Sequence, residues 1–365
     1  MIDIRNIRYY ELKIPFTRTF SHSSASRKET ETVIVEMMDE TGETGYGEGC
    51  PRSYVTGESI ETVFQFIQVH EANLQEIKNF DELEAYVIDN KNEIDQNPAA
   101  WCALELAMLD LLAKTEKISV EALLGRNQQQ SEYVYSAILG DSDPDTFHQL
   151  FQQYRQLGFS DFKIKLSGDI DKERRKLTCL NQHNREIKVR ADANNLWDSP
   201  DTAIDCLNEL SFDFDAIEEP VQSKQISDLQ EVVGKTGMKI ILDESLLRLE
   251  QVESLNRNPA HWIVNARVSK YGGILRSLKM IDELVKNDID IIVGAHVGET
   301  SLLTRASLIL ADSAKHKLRA QEGGFSTHLI TQDPFEPNLK IGKYGMIDRD
   351  LLDYRNKPGF GIHKV

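Results

Sequence analysis

The sequence predicts an α/β fold: a modified (β/α)₇β barrel of the TIM type with an N-terminal α+β capping domain. Three observations carry this. From about residue 131 onward, short apolar runs alternate with helical patterns, the rhythm of parallel βαβ units. Five short pieces end successive runs, each about 26 residues after the last, roughly the length of one βα unit. They are Lys163-Ile164-Lys165, Asp192-Ala193-Asn194, Glu218-Glu219-Pro220, Asp243-Glu244-Ser245 and Lys270-Tyr271-Gly272-Gly273. Residues 1–130 lack that rhythm, and 365 residues suit one barrel plus one smaller domain.

The first domain opens with alternating strands at Arg8–Ile14 and Thr30–Met38. A turn at Glu40-Thr41-Gly42 leads to a hairpin partner around Gly45-Tyr46-Gly47-Glu48-Gly49. Between the first two strands Phe16–Lys28 is polar and Ser-rich, and is expected to be a long functional loop. Helical spacing marks Gly57–Ala72 and Asp81–Asn90. Asn97-Pro98 starts the strongest helix, with Pro at its first position and a broad apolar stripe from Ala99 to Leu112. Gly125-Arg126-Asn127 closes this domain.

Barrel strands are expected at Val134–Ile138, Phe162–Leu166, Ile187–Ala191, Asp215–Ile217, Lys239–Leu242, Trp262–Val268, Ile289–Gly294 and near Leu318-Arg319-Ala320. Helices fall between them, at Asp143–Leu157, Lys172–Asn184, Thr202–Leu210, Ile226–Val233, Gln251–Leu255, Ser277–Val285 and Leu302–Ser313. The barrel domain spans 131–332. The tail, 333–365, is expected to return to the first domain.

The net charge of −17 gives no electrostatic footprint for nucleic acid or for an anionic membrane surface. No uncharged apolar run reaches the ~18 residues of a membrane span, and the first residues do not read as a signal peptide. Cys50, Cys102, Cys179 and Cys206 are scattered without a CxxC pair, as expected of reduced thiols in a cytoplasmic protein. No Walker or dinucleotide-binding glycine loop occurs, and no HxH or HExxH spacing suggests a zinc hydrolase.

The chemistry lies at the strand ends, because the loops there build one shared mouth. Lys163 and Lys165 are two apart on a strand and share a face. A lone pair of this kind is ordinarily solvated, but the inner face of a barrel strand is packed. Asp192, Glu218 and Asp243 each end a different strand. Singly each is an ordinary helix cap; together they need a positive charge, and a hard divalent cation bound through oxygen is the natural one. In Glu218-Glu219 only one carboxylate can face the ion, and Glu218 is favoured, with Glu219 as its neighbour. Lys270 is placed at the end of strand six, across the barrel from strand two, so that a substrate has Lys165 on one face and Lys270 on the other. His296 and Glu322 follow at the same interval on strands seven and eight and are expected to bind substrate.

In this order KxK, DAN with Trp197 three residues on, EEP, DES and KxGG resemble the enolase superfamily, in its muconate-lactonizing-enzyme-like subgroup. Gly45-Tyr46-Gly47-Glu48 and Ala103-Leu104-Glu105 through Asp110 are similar to that family's capping domain. The resemblance covers nearly the whole chain. It implies one Mg²⁺ per chain, or Mn²⁺ in its place, held by Asp192, Glu218 and Asp243. It implies Lys165 and Lys270 as acid/base groups on opposite faces, Lys163 tuning its neighbour, and Asn194 near the substrate. It also implies that Phe16–Lys28 and the segment near Tyr54 close over the substrate.

The implied reaction is an isomerisation, either racemisation or epimerisation or a cycloisomerisation. The proton α to a substrate carboxylate is removed, and the metal stabilises the enediolate. A lyase of the same superfamily (an o-succinylbenzoate synthase or an acid dehydratase) or a dipeptide epimerase is the alternative. A non-catalytic ligand-binding barrel is disfavoured because all five motifs are intact. Dipeptide epimerases of this family carry Asp-x-Asp at the end of strand eight, where Gln321-Glu322-Gly323 stands here. The expected substrate is therefore a small carboxylate without a free α-amino group, such as an N-acylated amino acid. The expected assembly is a homo-oligomer.

Overall fold

The structure, a computed structural model of the chain, describes every residue except 23, 24, 127–129, 131, 184, 185, 223, 224, 324 and 325. The expected domain end at Asn127 and helix end at Asn184 lie outside the described residues.

The first domain contains β1 (Ile4–Leu12), β2 (Pro15–His22), β3 (Ala25–Glu29), β4 (Thr32–Asp39) and β5 (Thr44–Gly49). An antiparallel sheet in the order β1-β4-β5 is its base. The segment Phe16–Lys28, expected as a loop, is instead largely a hairpin, β2 against β3, paired from Pro15↔Glu29 to His22↔Ala25. Phe16 is buried against Leu329 and Ile330 with Phe20 beside it, so the ribbon has an apolar side, but two aromatics in a polar segment are too few to show period two in the sequence. Helices Ile60–Gln75 and Phe80–Asp89 are each capped by a side chain, Ser59 and Asn79.

The helix Pro98–Glu116 was read as carrying an apolar stripe; the structure buries it on every side from Pro98 to Ala113. A helix apolar all round belongs between two layers, and this one lies between the cap sheet and the barrel. The glycines of β5 allow the strand to lie directly on it. A Cβ on Gly45, Gly47 or Gly49 would come within 1.9 to 2.1 Å of the carbonyl oxygens of Ala107, Ala103 and Ala99.

The barrel comprises β6 (Ala137–Leu139), β7 (Asp161–Lys165), β8 (Lys188–Asp192), β9 (Ala216–Glu218), β10 (Lys239–Leu242), β11 (Trp262–Ala266), β12 (Asp290–Val293) and β13 (Leu318–Gln321). These form one parallel sheet in sequence order. A parallel bridge between Tyr135 and Gln321 joins its two ends. Ala216, Ile241, Ile263, Ile292 and Ala320 pack together as an apolar cluster of their own inside it. Among the described residues no helix is long and apolar enough to cross a membrane.

One strand end departs from expectation. β11 stops at Ala266, and the chain turns into a short helix, Val268–Tyr271, that contains Lys270. Lys270 is thus four residues beyond the strand. The tail meets the first domain: Phe360 N–H donates to Asp110 Oδ1 at 2.8 Å and Lys364 Nζ to Glu36 Oε1 at 2.6 Å.

Candidate active site

Alternation along each strand sends every second residue into the barrel. On β7 this brings Lys163 and Lys165 inward side by side. Lys163 Nζ lies 2.6 Å from Glu218 Oε2, 2.9 Å from Glu322 Oε2 and 3.0 Å from Asp192 Oδ2. Lys165 Nζ lies 2.6 Å from Asp192 Oδ2 and donates to Asn194 Oδ1 at 2.9 Å. Asn194 has φ of 46°, a conformation Asn tolerates better than most residues, and its N–H caps Asp192 Oδ1 at 3.0 Å.

Asp192, Glu218 and Asp243 are buried at the ends of three neighbouring strands. Glu219 has φ of 42° and turns the other way. It accepts from the backbone N–H of Asp243 at 2.6 Å and of Ser245 at 2.8 Å, so it props up the loop that presents Asp243.

On β11 the inward residues are Ile263, Asn265 and then Arg267 just past the strand. Asn265 Nδ2 lies 3.4 Å from Glu218 Oε1, and Gly294 leaves it room: a Cβ there would fall 2.1 Å from Asn265 Oδ1. Arg267 pairs with Asp243 and stands 3.7 Å from Glu218 Oε1. Lys270 does not reach the mouth. Its Nζ donates to Asn265 O at 2.6 Å, Asp243 O at 2.9 Å and Asp243 Oδ1 at 3.0 Å, and the residue is wholly buried.

A cavity of about 50 Å³ opens over this cluster. Lys163, Lys165, Asn194, Glu244, Arg267 and Glu322 supply its polar wall, and Phe20 of the hairpin and Tyr54 cover it. A larger hollow at the cap–barrel joint, around Val87, Tyr271 and Met280, is mainly apolar and shares no lining residue with this cavity. His296 is buried behind the cavity, with Ala295 and Val297 on the wall instead. Among the described residues its ring nitrogens have no hydrogen-bond partner, and burial, with Arg267 and Arg52 near, pushes its pKa well below the usual value. Glu322 is buried, held by Lys163 and, at 3.3 Å, by Arg190. Asn265, Arg190, Glu244 and Arg267 were not singled out from the sequence. For Arg267 the signal was parity: counting by two from Ile263 leads to it and not to Lys270.

Burial works against every charge here. For Asp192, Lys163 and Lys165 outweigh it and hold the carboxyl below its ordinary range. For Asp243, Arg267 and Lys270 do the same. Burial and the adjacent Asp192 push Glu218 well above the usual carboxyl range. Burial and Asp243 raise Glu244 to about 8. Lys163 is buried too, but Asp192, Glu218 and Glu322 hold it well above the usual amine range.

The three strand-end acids do not close into a single ligand shell; Lys163 stands between Asp192 and Glu218, and Arg267 between Glu218 and Asp243. Among the described residues, Cys50, His296 and Glu299 are the one group of three whose potential ligand atoms all lie within 4.8 Å of one another. That group suits a cation poorly, because burial raises both the Cys50 thiol and the Glu299 carboxyl, the latter to about 8. The strand-end acids fit a hard cation better. They offer oxygen alone, on three adjoining strand ends.

A capped barrel with three acids on adjoining strand ends and a lysine pair beside them is the architecture of a barrel enzyme. Residues 7–125 match the family model described as the mandelate racemase / muconate lactonizing enzyme N-terminal domain. Residues 146–363 match the model described as enolase C-terminal domain-like. An L-Ala-D/L-Glu epimerase of Francisella tularensis subsp. novicida is 30% identical over 322 residues, covering 86% of this chain and 88% of the relative. An N-succinyl-L-Arg/Lys racemase of Bacillus cereus is 25% identical over 98% of this chain and 95% of its own. The fold is similar to that of a dipeptide epimerase from Enterococcus faecalis in complex with Mg and the dipeptide L-Leu-L-Tyr. The TM-score is 0.84 at 23% identity over 99% of both chains. The chain belongs to the mandelate racemase/muconate lactonizing enzyme family of the enolase superfamily, and it is an enzyme of that superfamily. Enzymes of the family are in general Mg²⁺-dependent.

Proposed function

We propose that this enzyme removes the proton α to the carboxylate of a small organic acid, with Lys165 as the acid/base and Asp192, Glu218 and Asp243 holding Mg²⁺. One observation carries the reading: Lys165 Nζ is on the cavity wall, aimed by Asp192 and Asn194, directly beside the acids. Held by these acids, Mg²⁺ would supply positive charge that offsets the second negative charge of an α-deprotonated carboxylate. Lys165 takes the proton at Nζ. Lys163 keeps its neighbour upright and neutralises Asp192 and Glu218. Phe20 and Tyr54 exclude water above. The relatives named as racemases and epimerases support an isomerase.

The substrate is best read as an N-blocked amino acid or another acid without a free ammonium. Strand eight offers Glu322 alone among its described acids, and that carboxylate is engaged by Lys163 and Arg190. An ammonium desolvated there without its own carboxylate would cost several kcal/mol. The test is Mg²⁺-dependent exchange of the Cα proton in D₂O across N-succinyl amino acids and unblocked dipeptides. Exchange of N-succinyl substrates, abolished by EDTA, is expected; faster exchange of L-Ala-L-Glu would refute the substrate reading.

A further inference from the structure

In an eight-stranded barrel, β7 and β11 lie four strands apart and therefore face each other. A base working on the opposite side of the substrate from Lys165 has to come from the mouth end of β11. What that end presents to the cavity is Arg267. Lys270, in the helical turn beyond, is closed off. An ammonium has three N–H donors. Those of Lys270 meet the oxygens of Asn265 and Asp243, and the Tyr271 ring lies 4.6 Å from the nitrogen. Lys163, the other lysine on the cavity wall, is on the same strand and face as Lys165, so it adds no second side.

We infer that the site works with one lysine acid/base, Lys165, and that Arg267 is the group facing it, a permanent cation that holds an anionic part of the substrate. This rests on the α-proton reading above and, within it, favours cycloisomerisation or elimination over the racemisation or epimerisation that the relatives' names suggest. A guanidinium stays protonated in proteins and makes two-pronged contacts to carboxylates. It can anchor a charge, but it neither removes a Cα proton nor delivers one. Proton transfer is then one-sided. Lys165 Nζ takes the Cα proton, and the electron pair of the broken C–H bond stays on the substrate. It ends in one of two ways. Lys165 returns the proton to the same face, restoring the configuration. Or the pair forms a Cα=Cβ double bond while the Cβ–O bond breaks, and Lys165 gives its proton to the departing oxygen. The second outcome is a syn elimination, or ring opening where that oxygen belongs to a lactone. It is balanced and needs no other reactant.

The experiment is ¹H NMR of Cα exchange in D₂O with Mg²⁺, offering N-succinyl amino acids, dipeptides and β-hydroxy acids as separate epimers. The expected result is that one epimer exchanges or eliminates at least ~10²-fold faster than its mirror partner, the lower range of what one positioned base contributes. Comparable exchange of both epimers, or their interconversion, would overturn the one-lysine site while leaving the α-proton reading intact. Exchange with no compound would overturn both. Lys270→Arg is read by its epimer preference and not by its rate, because Lys270 also holds Asp243: the ratio between epimers should stay native-like, and selective loss of exchange for one epimer in a folded variant would make Lys270 the second base. Independently of turnover, cyanate applied to the metal-free protein should carbamylate Lys165 and spare Lys270 on peptide mapping. Equal labelling of Lys270 would also overturn the inference.

Discussion

Replacing Lys165 with Met separates its chemical from its structural role. Its ammonium is one of two on Asp192, because Lys163 Nζ stands 3.0 Å from the same Oδ2. Removing one partner of a buried pair ordinarily costs about 3–5 kcal/mol by leaving a charge unpaired. Here Lys163 remains, so the destabilisation should fall at or below the lower end, about 3 kcal/mol. Catalysis has no such reserve. A positioned acid/base contributes ~10²–10⁴-fold. At 1.36 kcal/mol per tenfold step this is about 2.7–5.4 kcal/mol of barrier. The assay pairs thermal unfolding with Cα exchange in D₂O. Lys165→Met and Lys165→Arg should both remain folded and both lose at least ~10²-fold in exchange, since Arg restores the charge but not the base. Exchange within five-fold of native in a folded Lys165→Met protein would refute Lys165 as the base.

Asp192→Asn should stay folded and lose Mg²⁺ affinity, read by calorimetry; unchanged Mg²⁺ binding would place the ion elsewhere. Glu105 gives the pH prediction. Buried in the helix Pro98–Glu116, it accepts from Leu275 N–H and Trp101 Nε1–H, each at 3.0 Å, and burial raises it to about 7. The folded state binds this proton more tightly than the unfolded one. Its stabilisation is therefore complete below about pH 4.5 and is lost as pH rises through about 7, a few kcal/mol in all. Glu105→Gln should flatten the denaturant-derived stability profile across that window, and an unchanged slope would exclude Glu105 as its source. Gly47→Ala should destabilise by more than about 3 kcal/mol, because its Cβ would meet backbone at 1.9 Å; a thermal midpoint near native would show that β5 lifts freely off the helix.

The barrel was legible because its strands are buried apolar runs at a regular interval, and their polar endings stand out against that background. The β2–β3 hairpin was not legible. Its only apolar side chains on one parity are Phe16 and Phe20, which pack toward Leu329 and Ile330, too few among polar residues to mark a strand. The full burial of the helix from Pro98 was half legible: its alanines and leucines were visible, but not that Gly45, Gly47 and Gly49 let a sheet close over its far side. At the site, Lys163, Lys165, Asp192, Glu218 and Asp243 were readable because each sits on its own strand's inward parity. Lys270 was chosen for its spacing before Gly272-Gly273, and spacing does not show where a strand stops. The helical turn Val268–Tyr271 that follows the strand packs against the helix Pro98–Glu116, a tertiary contact that the local sequence does not record. Arg190 was hidden for another reason. It lies deep in the barrel, paired with Asp161 at 2.9 Å, and a lone arginine in a strand reads as surface.

Counting donors explains why three buried lysines have unequal chemical prospects. Each ammonium carries three N–H bonds, and a lysine acts as acid or base only with a direction free for substrate. Lys163 meets Asp192, Glu218 and Glu322, three carboxylates at 2.6 to 3.0 Å. Lys270 meets two carbonyls and a carboxylate within the same range. Both are fully engaged and hold acids and loops in place. Lys165 meets Asp192 and Asn194, and its remaining direction faces the cavity that it lines. The two contacts aim it, and the third position is where a Cα proton would arrive. On the proposed reading, the mouth separates one amine with a direction open to substrate from two engaged in holding acids and loops, without any difference in residue type. The difference lies in how many oxygens the surrounding strand ends bring within reach, and it is the ground on which Lys165, facing the guanidinium of Arg267, is proposed as the acid/base.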